Sequence, residues 1–202
     1  MTTKDKPLQK MSVIQIEIEK ALEQFNTILF DGKLENILIT LQTKGRGNIA
    51  GWCWAEKWVS KESSHTEINI SAECLTAGYA PLMEVLIHEM AHAINSQNGI
   101  KDCSKTQYHN KHFKSAAELA GLHVENGKNG WAYTSIEKGG IAEKALKDID
   151  INRDVFIYKR AEQAKVKAIT KIKKWSCGCT NVRCAVELLA ECQDCGNEFI
   201  QQ

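Results

Sequence analysis

Apolar residues recur along this chain at two spacings, which predict helices and short strands. Between Pro81 and Gly99 they stand three and four residues apart, the stripe of a core-facing helix. A similar helical pattern covers residues 13–30, and a further helix ends at Leu119 or Ala120. The strand-like runs are Ile37–Gln42, Ile49–Trp54 and Glu67–Ser71. These elements predict an α+β fold with a small three-stranded sheet.

The helix over residues 81–99 contains His88, Glu89 and His92 in the pattern His-Glu-x-x-His. Positions four residues apart share one face of a helix, so both imidazoles can reach one tetrahedral ion while Glu89 stands beside it. The alternative is two ordinary, partly buried histidines and a solvated glutamate. The apolar stripe on the same helix favours the metal site. The pattern therefore predicts catalytic zinc, with Glu89 as the general base for a water molecule activated by the metal.

Catalytic zinc commonly takes three protein ligands, so a third ligand is expected elsewhere. The start of the next helix, residues 108–114, contains two histidines, His109 and His112. Glu118 on that helix is a rival, because some peptidases with this pattern use a downstream glutamate. Tyr108 and Tyr133 are candidates for stabilising the oxyanion.

From Leu86 to Leu122 the chain resembles the SprT-like zinc metallopeptidases, which include the Spartan proteases that act on DNA–protein crosslinks. The resemblance rests on HEMAH, YHNKHFK and AAELAGL, and residues 130–134 also fit. In that family the third ligand is a histidine four residues before a phenylalanine, which implies His109, four residues before Phe113. The resemblance implies a minimal zincin-like peptidase domain, with an N-terminal helix, a three-stranded sheet, the His-Glu-x-x-His helix and a second ligand helix.

The C-terminal part contains Cys177, Cys179, Cys192 and Cys195. Two such pairs of thiolates suit a structural zinc in a small four-cysteine ribbon, which many SprT-like proteins carry. The alternative is two disulfides. The start of the chain, Met-Thr-Thr-Lys-Asp-Lys, has no apolar signal segment, which predicts a reducing cytoplasmic location and free thiols. Cys184 is a substitute ligand in principle, but its apolar neighbours favour a packed thiol.

Positive charge is concentrated in one segment, although the net charge of the chain is only +1. Residues 159–174 contain seven Lys or Arg and one Glu, whereas residues 1–158 contain eighteen basic and twenty acidic side chains. In a helix, four of the basic residues share a face that could contact phosphates. They are Arg160, Lys167, Lys171 and Lys174. A solvated linker helix is an equally good interpretation.

Three tryptophans, Trp52, Trp54 and Trp58, lie in or beside a strand-like run, and Trp52 and Trp54 are expected on one face. Core packing is the expected role, and lining a substrate groove beside the metal helix is the alternative. No run approaches the roughly eighteen apolar residues of a membrane span.

These observations predict a metallopeptidase domain at residues 1–158, a basic linker or helix at 159–174 and a zinc ribbon at 175–202. The predicted function is zinc-dependent peptide hydrolysis, with proteins bound to DNA as substrates. The alternatives are a zinc-dependent nucleic-acid-binding protein with an inactive or only self-cleaving peptidase domain, and a general cytosolic peptidase.

Overall fold

The computed structural model of the protein describes residues 10–43, 49–158 and 172–202. The chain divides into two compact units, residues 1–160 and 161–202. In chain order, the elements of the first unit are α1 (Met11–Leu29), β1 (Ile37–Gln42), β2 (Gly51–Val59), β3 (Ser64–Ser71), α2 (Tyr79–Gln97), α3 (Lys111–Leu119), β4 (Leu122–Gly127), β5 (Gly130–Ile136) and α4 (Ile141–Asp148). Short 3-10 helices cover Ala72–Ala77 and Arg153–Val155. The first unit is thus a mixed α/β structure, and all of its predicted elements are present.

The first sheet has the strand order β1-β3-β2, so β3 is central and β2 is an edge strand. Strand β3 pairs with β1 in parallel and with β2 in antiparallel orientation. Gly51 of β2 pairs with Ile70 of β3, and a Cβ atom on Gly51 would lie 2.9 Å from Val85 of α2. Because cross-strand partners point to the same face, α2 covers the face that carries Ile68 and Ile70. Both isoleucines are fully buried.

The three tryptophans of β2 lie on the opposite face of this sheet. Trp52, Trp54 and Trp58 pair with Asn69, Glu67 and His65, which alternate with the buried isoleucines of β3. Trp54 is 53% exposed and Trp58 is 47% exposed. Core packing is therefore wrong for these two, and neither faces the metal helix. The ladder is interrupted between them by a shift of register.

The core of the first unit forms between the helices and this sheet. Helix α1 buries one apolar stripe at helical spacing. Helix α2 is buried on more than one face and packs against β2, β3 and α3. The largest fully buried side chains of the core are Ile14, Ile18, Phe25, Ile68, Ile70, Leu82, Met83, Leu86, Ile87, Met90, Phe113 and Leu122. Gly99, predicted as the helix stop, follows the C-cap of α2 with a positive φ of 69°.

The hairpin of β4 and β5 and helix α4 are elements that the hydrophobic pattern did not predict. The hairpin follows α3 and contacts both α2 and α3. Gly121, between α3 and β4, adopts a φ of +83° and has no room for a side chain, since a Cβ there would lie 2.6 Å from the amide nitrogen of Ala142. A glycine therefore sets the close packing of α4 against the end of α3.

The second unit contains three short strands, β6 (Lys173–Ser176), β7 (Asn181–Cys184) and β8 (Ile200–Gln201), in the order β7-β6-β8. Trp175 at its centre is 7% exposed. Across the ranges 10–43, 49–158 and 172–202, no helix has the length and apolarity to cross a membrane.

Substitution of Gly121 tests the packing of α4. We expect Gly121→Ala to lower the free energy of unfolding for two reasons. An alanine costs about 1–2 kcal/mol in the left-handed backbone conformation of this position. The clash of its Cβ with Ala142 costs about 1–3 kcal/mol more. Gly139→Ala is the matched control, because Gly139 has a φ of +77° and its Cβ would meet nothing within 4 Å. Urea denaturation measures both variants, and equal losses would contradict the packing argument.

Candidate metal centre

Helix α2 brings His88 and His92 to one face and Glu89 beside them. One turn of helix separates the two imidazoles, whose ring centroids lie 5.1 Å apart. Glu89 is buried, and His88 and His92 are partly buried. Because the other faces of α2 are packed in the core, the backbone that carries these three residues is rigid.

His109 comes from the loop that precedes α3, not from the helix itself, and it forms isolated bridges with Cys103 and Gly130. Its amide donates to the carbonyl of Asn129 over 3.0 Å, and its carbonyl accepts from the amide of Trp131 over 3.1 Å. Gly130 has a φ of +68°, and a Cβ there would overlap the carbonyl oxygen of His109. The tip of the β4–β5 hairpin therefore holds His109 in place.

The possible ligand atoms of His88, His92 and His109 all lie within 4.8 Å of one another. Phe113, fully buried on α3, lies beneath all three rings, with centroid distances of 4.5, 4.4 and 4.7 Å respectively. Phe113, four residues after His109, is thus the apolar side chain against which all three imidazole rings pack.

Each of the three imidazoles has its Nδ1 atom next to a different hydrogen-bond acceptor. His88 Nδ1 lies 3.2 Å from Thr134 Oγ1, and His92 Nδ1 lies 2.9 Å from Asp102 Oδ2. His109 Nδ1 lies 3.0 Å from the carbonyl oxygen of Gln107. A carboxylate and a carbonyl can only accept, so in His92 and His109 the Nδ1 atom carries the proton. In the neutral form of each of these two rings the Nε2 atom is then unprotonated.

The two unprotonated Nε2 atoms of His92 and His109 face each other at 3.0 Å. Lone pairs at that distance repel unless a cation, either a proton or a metal ion, lies between them. Imidazole nitrogens oriented by hydrogen bonds at Nδ1 are the usual ligands of zinc. The residues present therefore fit a metal ion.

Charge and burial shift the pKa values of the cluster in different directions. Burial, followed by the neighbouring imidazoles, holds the pKa of His88 well below its usual value, and burial and His92 lower that of His109. Burial opposes ionisation of His92 too, but its hydrogen bond to Asp102 and the charge of Glu89 raise its pKa. His88 and His109 are thus neutral near pH 7, the form that binds metal.

Glu89 is directed from α2 towards β2. A Cβ on Gly51 would lie 2.9 Å from Glu89 Oε1, so the carboxylate occupies space that a side chain on β2 would fill. Burial raises the pKa of Glu89 to about 7. A carboxyl with this pKa exchanges a proton readily near neutral pH.

The other candidates of the sequence lie outside this cluster. Glu118, the rival ligand, is exposed on α3, and its Oε1 atom lies 3.5 Å from Lys114 Nζ. His112 is exposed, and its backbone carbonyl accepts a hydrogen bond from Asn95. Tyr108 and Tyr133 are 48% and 49% exposed.

The family comparison agrees with this site. The model of the SprT-like family matches residues 18–135, which include both ligand segments and all but the last residue of the hairpin. The chain belongs to the SprT-like family. Comparisons with curated proteins and with solved structures gave no match.

A second candidate metal site lies in the C-terminal unit of this SprT-like protein. The sulfur atoms of Cys177, Cys179, Cys192 and Cys195 lie within 4.8 Å of one another. Burial opposes ionisation of Cys177, but hydrogen bonds from the Thr180 amide and neighbouring thiols lower its pKa to about 6. The four sulfurs are consistent with zinc, and all four cysteines are free of disulfides.

The remaining cysteines belong to neither cluster. Cys184 donates to the carbonyl of Val186 at 3.0 Å and lies outside the sulfur cluster. Three of the four residues of the predicted basic face lie outside the described residues, namely Arg160, Lys167 and Lys171. The fourth, Lys174, is exposed on β6.

Sequence reasoning did not find the residues that orient the ligands. Asp102 and Asn95 support His92, with Asn95 Nδ2 donating to Asp102 Oδ2 at 2.9 Å. Asp102 is 8% exposed, although it lies in a polar loop that looks like solvent-facing sequence. The local sequence around such a buried acid does not reveal its role, because its hydrogen-bond partners lie on another element and are brought to it only by the tertiary fold.

Metal content of single variants tests which histidines bind. We expect His109→Ala to lose one metal ion per chain, because it removes one of the three converging nitrogens. His112→Ala is the matched control and should keep the ion. Elemental analysis of the purified variants measures this, and the reverse pattern would refute the cluster as the ligand set.

Proposed function

We propose that this protein is a zinc-dependent endopeptidase whose metal ligands are His88, His92 and His109. The observation that carries the proposal is the convergence of three imidazoles, with ligand atoms within 4.8 Å, beside the buried carboxyl group of Glu89. Three nitrogen ligands leave one position of a tetrahedral ion open for chemistry, which distinguishes catalytic from structural zinc. The four-thiolate cluster, by contrast, suits a structural zinc.

The chemistry divides between the metal and Glu89. Bound zinc would supply a Lewis acid that polarises the scissile carbonyl and makes water nucleophilic near neutral pH. Glu89 takes the proton from the attacking water and passes it to the leaving amine, which makes it general base and then general acid. Burial by α2 and β2 keeps its carboxyl fixed for both steps.

The substrate binds as an extended strand along the outer edge of β2, where the described part of the chain places no further strand. This strand is an edge of its sheet, packs against α2, and carries Gly51 next to Glu89. A peptide that pairs with this edge has its backbone held by hydrogen bonds in a fixed register. Such pairing recognises the main chain, so the enzyme accepts many sequences.

Proteins bound to DNA are the proposed substrate class. The support is the concentration of basic residues at 159–174, where seven of sixteen side chains are Lys or Arg. Residues 172–202 carry three basic and four acidic side chains, so the described part of the C-terminal unit adds little attraction for phosphate beyond the basic segment. The alternative, an inactive domain that only binds nucleic acid, leaves the buried Glu89 without a role.

Cleavage of a DNA-bound protein tests the function. We expect wild type to cut the substrate, and Glu89→Gln to lower the rate by about 10²–10⁴-fold, because it removes the proton acceptor. Zinc content should stay unchanged in this variant, since Glu89 is not a ligand.

The DNA part of the proposal has its own control. Removal of DNA from the same assay should slow cleavage by wild type, and rising salt should do the same, because phosphate contacts weaken with ionic strength. Cleavage that is equal with and without DNA would indicate a general peptidase. Zinc binding without any cleavage would instead support the inactive alternative.

Substitution of Gly51 tests the placement of the base. We expect Gly51→Ala to lower the cleavage rate by about 100-fold, because the new methyl group displaces the carboxylate of Glu89 by about 1 Å. Zinc content should be retained, and Gly139→Ala, whose Cβ meets nothing, should behave as wild type in cleavage. Unchanged cleavage by Gly51→Ala would show that Glu89 does not act from its present position.

A further inference from the structure

We infer that Thr134 on β5 is a positioning residue for the metal ligand His88, and that Glu84 fixes the orientation of the Thr134 hydroxyl. The inference rests on the proposed zinc site and concerns how one of its ligands is oriented. It assigns a role to two residues outside the His-Glu-x-x-His pattern, one on the metal helix and one on the hairpin.

The three side chains form a continuous chain of hydrogen bonds. The Thr134 hydroxyl donates to Glu84 Oε1 at 3.1 Å, and its oxygen lies 3.2 Å from His88 Nδ1. Glu84 precedes His88 by one helical turn on α2, so both reach the same point on β5. Thr134 and Glu84 are half-buried, which limits competition from water.

The direction of these bonds determines the state of the imidazole. A hydroxyl has a single proton, and in Thr134 that proton points to Glu84. The oxygen of Thr134 can therefore only accept from His88, so His88 Nδ1 carries the proton. This leaves His88 Nε2 unprotonated and turned towards the site shared with His92 and His109. Without Glu84 the hydroxyl could turn round and donate to Nδ1, which would favour the wrong tautomer.

The contact differs from those of the other two ligands. His92 donates to the carboxylate of Asp102 and His109 to a backbone carbonyl, and both acceptors have no proton of their own. The hydroxyl that faces His88 can either donate or accept, so a second residue must determine which of the two it does. Thr134 without Glu84 would be ambiguous, which explains why the chain places an acid at position 84.

Strand β5 consequently contributes to two ligands at once. Its first residues hold the backbone of His109, since Trp131 donates to the His109 carbonyl at 3.1 Å. Further along the same strand, Thr134 reaches His88. The β4–β5 hairpin thus fixes the relative position of a ligand on α2 and a ligand in the loop before α3.

Zinc affinity measured against a chelator tests this inference without any need for catalysis. We expect Thr134→Val, which keeps the shape but removes the hydroxyl, to weaken binding at the histidine site by about 10- to 100-fold. Thr134→Ser restores a hydroxyl and should bind zinc within about twofold of wild type. The affinity that is lost in His109→Ala is assigned to the histidine site. The affinity of the cysteine cluster should stay constant in all variants and serves as an internal standard.

Two further controls separate positioning from a general loss of structure. Ser135→Ala changes the exposed neighbour on the opposite face of β5 and should leave affinity unchanged. Circular dichroism of every variant checks folding. If Thr134 and Glu84 act as one unit, Glu84→Ala alone should also weaken zinc binding, and the double variant Thr134→Val with Glu84→Ala should be no weaker than Thr134→Val alone by more than about twofold.

The possible failures are distinguishable. Thr134→Val with the affinity of wild type would overturn the positioning role but leave the proposed peptidase intact. Losses that multiply in the double variant would overturn the role of Glu84 alone. A wild-type protein that binds zinc only at the cysteine cluster would overturn both this inference and the proposed function.

Discussion

The three histidines of the first unit can share one buried space only if each ring keeps its proton on the nitrogen that faces outwards. Asp102, the carbonyl of Gln107 and the hydroxyl of Thr134 receive these protons from three directions. The inward nitrogens then present their lone pairs to one another, with the Nε2 atoms of His92 and His109 only 3.0 Å apart. Apolar packing on Phe113 from below prevents the rings from turning away towards water. A cation held by the three histidines would relieve the mutual repulsion that this arrangement creates.

Few elements of the fold are needed to hold the three histidines in this orientation. Two ligands come from one buried helix, where spacing of four residues fixes their separation. The third belongs to a loop, and loops do not hold geometry to a fraction of an ångström by themselves. The hairpin that follows α3 compensates for this, because the absence of a side chain at Gly130 lets its backbone approach His109. Backbone hydrogen bonds then complete the support on both sides of the ligand.

The sequence predicted the local elements of this arrangement better than the tertiary ones. The helix with His88 and His92 has a strong period, and the four cysteines stand in two close pairs, the second with the Cys-x-x-Cys spacing of zinc sites, so both were recognisable. His109 was identified through Phe113 and a family resemblance, and the structure brings it to the cluster. The roles of Asp102 and Thr134 were not predicted, because they depend on contacts between distant segments. The exposure of Trp54 and Trp58 was missed because period-two alternation does not reveal which face of a sheet is covered.

The edge strand β2 has a further property that follows from its interrupted ladder. Its register with β3 shifts between Trp54 and Trp58, where Glu56 adopts a φ of 49°. Bulges of this kind twist a strand and interrupt its pairing, and natural proteins use them to protect open edges from adding further strands. The longer regularly paired part of β2 is confined to residues 51–54, before the shift. At the β2 edge, an added strand can therefore pair regularly only over a short stretch, which suits a short guest segment better than the sheet of a second copy.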